Sequence, residues 1–121
     1  MKLSVNLVVH GLNAVVSEAL QLAENAGITR KSAYDVLQES VVAAPFVKYK
    51  RAAFLDESEP VAMSLNLVHK DLALIAALAA RVGSPAPVTA SVVRAVGDAV
   101  DAGMGAFDMA ALSRRKGSPT R

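Results

Sequence analysis

The first 25 residues constrain this chain more than any other stretch, because they read as one long helix that is apolar on nearly every side. Leu3, Val5, Leu7, Val8, Leu12, Val15, Val16, Ala19 and Leu20 are spread round the helical wheel. Residues one and two turns apart share a face, so Lys2, Asn6, His10 and Asn13 form a single polar row among them. A helix apolar nearly all round is packed on by neighbours from several sides. Polar groups within such a helix need partners or water. The row is therefore expected to face a wet cleft or a ligand, with the Lys2 amine and Asn6 amide over one patch, roughly 6 Å apart along the axis.

The rest of the composition fits a helical domain. At 121 residues the chain has the size of one domain with a real core. It is 53% hydrophobic but only 4% aromatic, so that core is aliphatic and Ala-rich, which favours close helix packing. No Cys is present, which removes disulfides, thiolate metal sites and thiol nucleophiles and suits a reducing compartment. Cytoplasmic localisation is the expectation. Arg114, Arg115, Lys116 and Arg121 crowd the C-terminal end, and removing those four charges from the net +2 leaves −2. A basic nucleic-acid-binding face is not implied. No signal peptide is visible, and the longest apolar run, 72–80, is too short to span a bilayer.

In chain order, the opening helix stops at Ala26-Gly27, where Gly can take the left-handed conformation. Thr29 caps a second helix, Arg30–Glu39, with Ala33, Val36 and Leu37 inward. Residues 41–44 lack a pairing partner as a strand, and Pro45 opens a third helix over 45–54. Residues 56–60 are an acidic loop. A second long helix covers 63–82, with Leu65, Leu67, Val68, Leu72, Leu74, Ile75 and Leu78 as core candidates, and ends at Gly83-Ser84-Pro85. Pro87 starts a fifth helix with Val88, Val92, Val93, Val96 and Val100 inward, ending at Gly103. Asp108 caps a last short helix over 109–115. The class is all-α, two long helices with about four shorter ones packed round them, and residues 116–121 form a flexible basic tail.

Little catalytic chemistry is open to such a chain from local patterns. His10 and His69 are isolated from carboxylates at ligand spacing, so no metal site is expected, and each reads as a surface or half-buried residue. No nucleophile elbow occurs. Gly103-Met104-Gly105 lacks the third Gly and the preceding strand of a dinucleotide fingerprint. On periodicity alone Lys2 is a solvated terminus, and His10 and Asn13 either serve the cleft or bond a neighbouring helix.

Four segments, in order, change that balance. Met1-Lys2-Leu3-Ser4-Val5-Asn6, then Glu18-Ala19-Leu20-x-Leu22-Ala23-Glu24-x-Ala26-Gly27, then Lys70-Asp71-Leu72, then Gly103-Met104-Gly105-x-x-Asp108-Met109-Ala110-Ala111-Leu112 resemble the C-terminal domain of the β-hydroxyacid dehydrogenases, nearest the 3-hydroxyisobutyrate dehydrogenases. The resemblance covers residues 1 to about 115. It implies a 6-phosphogluconate dehydrogenase C-terminal domain-like fold. In the family this domain follows an N-terminal Rossmann domain, which this chain lacks, and closes a cleft over nicotinamide and substrate.

The resemblance also implies roles. The family's Lys-x-x-x-Asn motif falls on Lys2 and Asn6, making Lys2 the general acid/base and Asn6 the substrate-binding residue. Alcohol oxidation by hydride transfer needs the hydroxyl proton removed and charge on that oxygen stabilised. A Lys amine can do both once desolvation or a nearby cation brings its reference pKa of about 10.4 down. A neutral Asn orients substrate without competing for the proton. Lys70, from the family's Lys-Asp pair, is implied to contact the cofactor, NAD or NADP, with Asp71 structural. Met63 stands where the family often has an aromatic, which alters the cleft wall and leaves the substrate open. The expected substrate is a small 3-hydroxy acid or its semialdehyde. The expected partners are a Rossmann domain of the same enzyme and further copies in a homo-oligomer, with no nucleic acid and no membrane. The alternative is a non-catalytic helical association module.

Overall fold

The computed structural model describes residues 1–114. The expected tail, 116–121, and Arg115 lie outside the described residues. Six α-helices follow in order: α1 Lys2–Asn25, α2 Arg30–Glu39, α3 Pro45–Tyr49, α4 Arg51–Leu55, α5 Leu65–Val82 and α6 Pro87–Ala99. A π-helical turn, Val100–Met104, and a 3₁₀ helix, Met109–Arg114, complete the described chain. The all-α expectation holds, with α1 and α5 as the two long helices.

Local chemistry sets the helix ends. Gly27 takes φ 92° behind α1 and Gly83 takes φ 70° behind α5, a region that costs an L side chain strain but not glycine. Thr29 accepts the Ser32 amide at 3.2 Å to start α2, and Ser64 accepts the Leu67 amide at 3.2 Å to start α5. Pro87 occupies the first turn of α6, where its missing amide proton is no loss.

By length and hydropathy α1 could cross a bilayer, but here it is the central helix of the bundle. The 3₁₀ helix, α5, α2 and α6 all pack on it. It runs antiparallel to α5, since Leu3 and Leu7 share a cavity wall with Leu78 and Val82 while His10, further along, meets Asp71. Leu20, Phe54, Leu65, Val68, Leu72 and Val96 are the centre of the core.

Several inward assignments are corrected. Val36, Leu67, Leu74 and Val88 are more than half exposed. Each helix is covered on one side only, and these four lie on the other. In α2 the buried place belongs to Tyr34, whose hydroxyl donates to the Val47 carbonyl at 2.6 Å. The helix expected over 45–54 is two helices that meet at Lys50. The one expected over 87–103 loses α-helical geometry after Ala99, and Gly103 turns to φ 90°.

The bend at Lys50 has a cause. Its side chain is buried, and its ammonium lies 2.9 Å from both carboxylate oxygens of Asp108. Asp108 also accepts the amides of Ala110 at 2.9 Å, Ala62 at 3.0 Å and Met63 at 3.3 Å. Beside it the chain pairs briefly with the entry to α5: Leu65 donates to Phe107 and Met109 donates to Met63. One carboxylate thus joins the α3/α4 bend, the loop before α5 and the 3₁₀ helix. Burial alone would raise its pKa, but the amide and Lys50 hydrogen bonds outweigh that and hold it below the ordinary 3.8.

Asp108→Ala leaves the Lys50 ammonium buried without its partner and is expected to cost about 3–5 kcal/mol in denaturant unfolding. Because the folded state favours ionised Asp108, its stabilisation is complete above about pH 4 and is lost as pH falls further. Asp108→Asn should therefore unfold with a shallower acid limb than the parent protein.

Candidate active site

The polar row of α1 is continuous but changes character along its length. Lys2 is exposed and Asn6 half-buried. His10 and Asn13 are 2% and 1% exposed, so the expectation of a surface or half-buried His is corrected for His10 and holds for His69, which is exposed. Nor does the lower half of the row face a wet cleft. It faces the interior of the bundle, where His10 and Asn13 each make one hydrogen bond to a neighbouring element, while His10 Nδ1 and Asn13 Oδ1 are buried without one. His10 Nε2 lies 3.2 Å from Asp71 Oδ2 on α5; a carboxylate can only accept, so Nε2 carries the proton. Asn13 Nδ2 donates to the Met109 carbonyl at 3.0 Å. Ser17, one turn on, donates to the Asn13 carbonyl at 2.6 Å.

What α1 turns outward instead is apolar. Met1, Val5, Val8, Val15 and Leu22 are exposed, and with half-buried Leu12 and Ala19 they recur in alternating steps of four and three. That is the spacing of a helix seam. The long helix is therefore amphipathic in the reverse of the usual sense over this chain, with its polar row buried and an apolar seam open.

Only the head of the row is accessible chemistry. The Lys2 amine forms no ion pair among the described residues, and Asn6 stands one turn deeper. On α5, Lys70 is exposed and likewise unpaired among the described residues. Leu67 and Leu74, one turn to either side on the same face, are exposed as well, so the amine is framed by apolar side chains. Asp71 points away from Lys70, toward α1, as expected for a structural hydrogen-bonding residue. The structure does not bring Lys2 and Lys70 together. Asp71 meets α1 at His10, eight residues beyond Lys2, which is about 12 Å of helix. Among the described residues no group of three His, Cys, Asp or Glu side chains could hold a metal ion.

Against this geometry, the comparisons with known proteins are decisive about family. The profile described as "NAD-binding of NADP-dependent 3-hydroxyisobutyrate dehydrogenase" matches residues 1–115. The chain belongs to this family. Within it, the glyoxylate/succinic semialdehyde reductase 1 of Arabidopsis thaliana is 30% identical over 112 residues, 93% of this chain and 39% of that protein. The cytokine-like nuclear factor N-PAC of Aedes aegypti is 29% identical over 111 residues, 88% of this chain and 20% of its own length. The crystal structure of 3-hydroxyisobutyrate dehydrogenase from Salmonella typhimurium superposes with a TM-score of 0.87 at 25% identity, covering 93% of this chain and 40% of that one. The Mycobacterium tuberculosis 3-hydroxyisobutyrate dehydrogenase shares the fold, with a TM-score of 0.78 at 23% identity. The chain spans about two fifths of the length of the dehydrogenases and the reductase it matches. The 3-hydroxyisobutyrate dehydrogenase family thus supplies both the helical fold and NAD(P) use as its general chemistry.

Two features escaped the sequence. The His10 to Asp71 bond joins positions 61 apart, and only the antiparallel packing of α1 on α5 reveals it. Lys50 did carry a signal: it stands three or four residues from Phe46, Val47, Ala53 and Phe54, on the face that those side chains bury.

Asn13→Leu keeps the branching of the side chain but leaves the buried Met109 carbonyl without its donor. It is expected to destabilise the domain by about 1–3 kcal/mol in denaturant unfolding, with the helix content of the folded state unchanged by circular dichroism.

Proposed function

We propose that this chain is the helical domain, residues 1–115, of an NAD(P)-dependent oxidoreductase that moves hydride between a nicotinamide and a small 3-hydroxy acid, 3-hydroxyisobutyrate-like, or its semialdehyde. The observation that carries the reading is the Lys2/Asn6 pair. In a chain of this family it stands one turn apart at the only open end of an otherwise buried polar row. Under this reading a Rossmann domain of the same enzyme faces that end, and the complete protein works as a cytoplasmic homo-oligomer.

The residues have distinct tasks. In the oxidation direction the substrate's C–H hydride leaves to the nicotinamide, which supplies that acceptor when bound. Lys2, as its neutral amine, takes the hydroxyl proton and becomes the ammonium, whose charge stabilises the oxygen while the C=O bond forms. In reduction the same ammonium returns the proton. Asn6, one turn deeper, donates to or accepts from the substrate hydroxyl or carboxylate and fixes its orientation. Lys70 fits the cofactor side, because its exposed amine between Leu67 and Leu74 suits a flat ring with an anionic attachment. About 12 Å of helix between the levels of Lys2 and Lys70 suits two different parts of a ternary complex better than one small acid.

A second reading draws on the open seam of α1. The regular spacing of Val5, Val8, Val15 and Leu22 suits a helical association surface, and one relative, the cytokine-like nuclear factor N-PAC, is not named as a dehydrogenase. In that reading Lys2 and Asn6 do no chemistry.

The test is to join the chain to a cognate Rossmann domain and follow nicotinamide absorbance with a panel of 3-hydroxy acids. Lys2→Ala is expected to lower kcat by about 10²–10⁴-fold with the fold intact, and an unchanged rate would exclude the catalytic assignment. The chain by itself, with no phosphate-cradling Gly loop in its sequence, is expected to give no calorimetric signal at micromolar NAD.

A further inference from the structure

We propose that His10 is a positioning residue for the cofactor side of the site: through Asp71 it sets how far α5 slides along α1, and so where Lys70 stands relative to Lys2 and Asn6. The inference rests on the reading above that Lys70 contacts cofactor and Lys2 and Asn6 contact substrate.

The physical case begins with what else holds the two helices. Near their ends Leu3 and Leu7 on α1 and Ile75 and Leu78 on α5 line a common apolar cavity. Further along, Leu7 and Leu12 pack against the same core as Val68 and Leu72. Aliphatic contact of this kind is non-directional and tolerates shear of 1–2 Å between packed helices, about the size of functional helix shifts. The bond from His10 to Asp71 is directional and joins one atom to one atom. It is also placed to matter. His10 is buried and continues the very row that begins with Lys2 and Asn6, so its imidazole is held in a fixed relation to them by one helix. Asp71 is the residue after Lys70, so any slip of Asp71 along the axis carries Lys70 with it.

A purely structural role explains less. His10 Nδ1 is buried with no hydrogen-bond partner, so the imidazole carries a desolvation cost that an aliphatic side chain in this interior would not. The residue is accounted for by the one thing an aliphatic side chain cannot do, which is to hold Asp71 by a donor.

The test uses the chain joined to its Rossmann domain and compares His10→Leu, His10→Gln, Asp71→Ala and Lys70→Ala. The Gln amide can place its nitrogen near the position of His10 Nε2, so it retains the donor without the ring. His10→Leu is expected to raise the cofactor KM by about tenfold while kcat at saturating cofactor stays within about twofold. His10→Gln restores most of the loss. Asp71→Ala, at a partly exposed position, raises the same KM by a similar factor. Lys70→Ala raises it too, and adds little once His10 is Leu, because both act on one contact. If His10→Leu or Asp71→Ala lowers the thermal midpoint and leaves the cofactor KM unchanged, His10 is a structural residue and the proposal fails. If Lys70→Ala itself leaves the cofactor KM unchanged, the assignment of Lys70 to cofactor fails, whatever the His10 variants do. Should His10→Leu not fold, Asp71→Ala and His10→Gln decide the matter by the same two readouts.

Discussion

The fold depends on one buried charge pair. Lys50 and Asp108 are 6% and 10% exposed and would each be costly alone in this interior. Together, with three backbone amides completing the carboxylate's coordination, they cross-link segments that apolar packing would leave free to slide. The α3/α4 bend is there because Lys50 must reach inward between Val47 and Ala53. The 3₁₀ helix starts where it does because Asp108 takes the Ala110 amide with one oxygen and Lys50 with both. The 3₁₀ helix in turn supplies the carbonyl that satisfies Asn13 in the centre of α1. The inner end of the polar row is thus held by an ion pair elsewhere in the molecule, while its outer end leaves the Lys2 amine exposed.

The fold was largely readable from residues whose meaning is local. Gly27 and Gly83 stop helices because few residues other than glycine enter the left-handed region at ease. Thr29 and Pro87 start them for reasons that hold within four residues, and Ser64 does the same for α5, which begins at Leu65 and not at residue 63 as expected. The errors have a common origin. Val36, Leu67, Leu74 and Val88 are apolar at positions that periodicity places near the apolar face, but which side of a helix is covered depends on the neighbours available, and a small bundle has too few to cover every face. The candidate site was readable at Lys2, Asn6 and Lys70 only because their spacing matches a family. Their physical context was not. A row of polar residues on an apolar helix implies satisfied partners, and sequence has no means of saying whether those are water, ligand or, as for His10 and Asn13, side chains and carbonyls 61 and 96 residues away.

The family assignment and the geometry answer different questions. Membership in the 3-hydroxyisobutyrate dehydrogenase family follows from a match over residues 1–115 and carries the fold with it. The inverted amphipathicity of α1 is a property of this chain's own packing. His10, Asn13 and Ser17 are used up inside, and Met1, Val5, Val8, Val15 and Leu22 of its apolar seam stand exposed among the described residues. In the proposed enzyme, such a helix is shared structure: its inner face belongs to the bundle, its head to the reaction, and its seam to whatever packs against the bundle.

The contact between Asn13 and Met109 also bears on how the chain acquires its structure. It closes a span of 96 residues, and the central helix makes much of its packing with an element that follows all the other described helices in the chain. Closing so long a loop carries an entropic cost that grows with the logarithm of its length. A chain emerging at about 5–20 residues per second leaves α1 waiting on the order of 5–20 s for residues 105–114 to arrive. During that interval the part of α1 round Asn13, which the 3₁₀ helix covers, stays open. The final ten described residues act as the latch that closes the centre of the domain's longest helix.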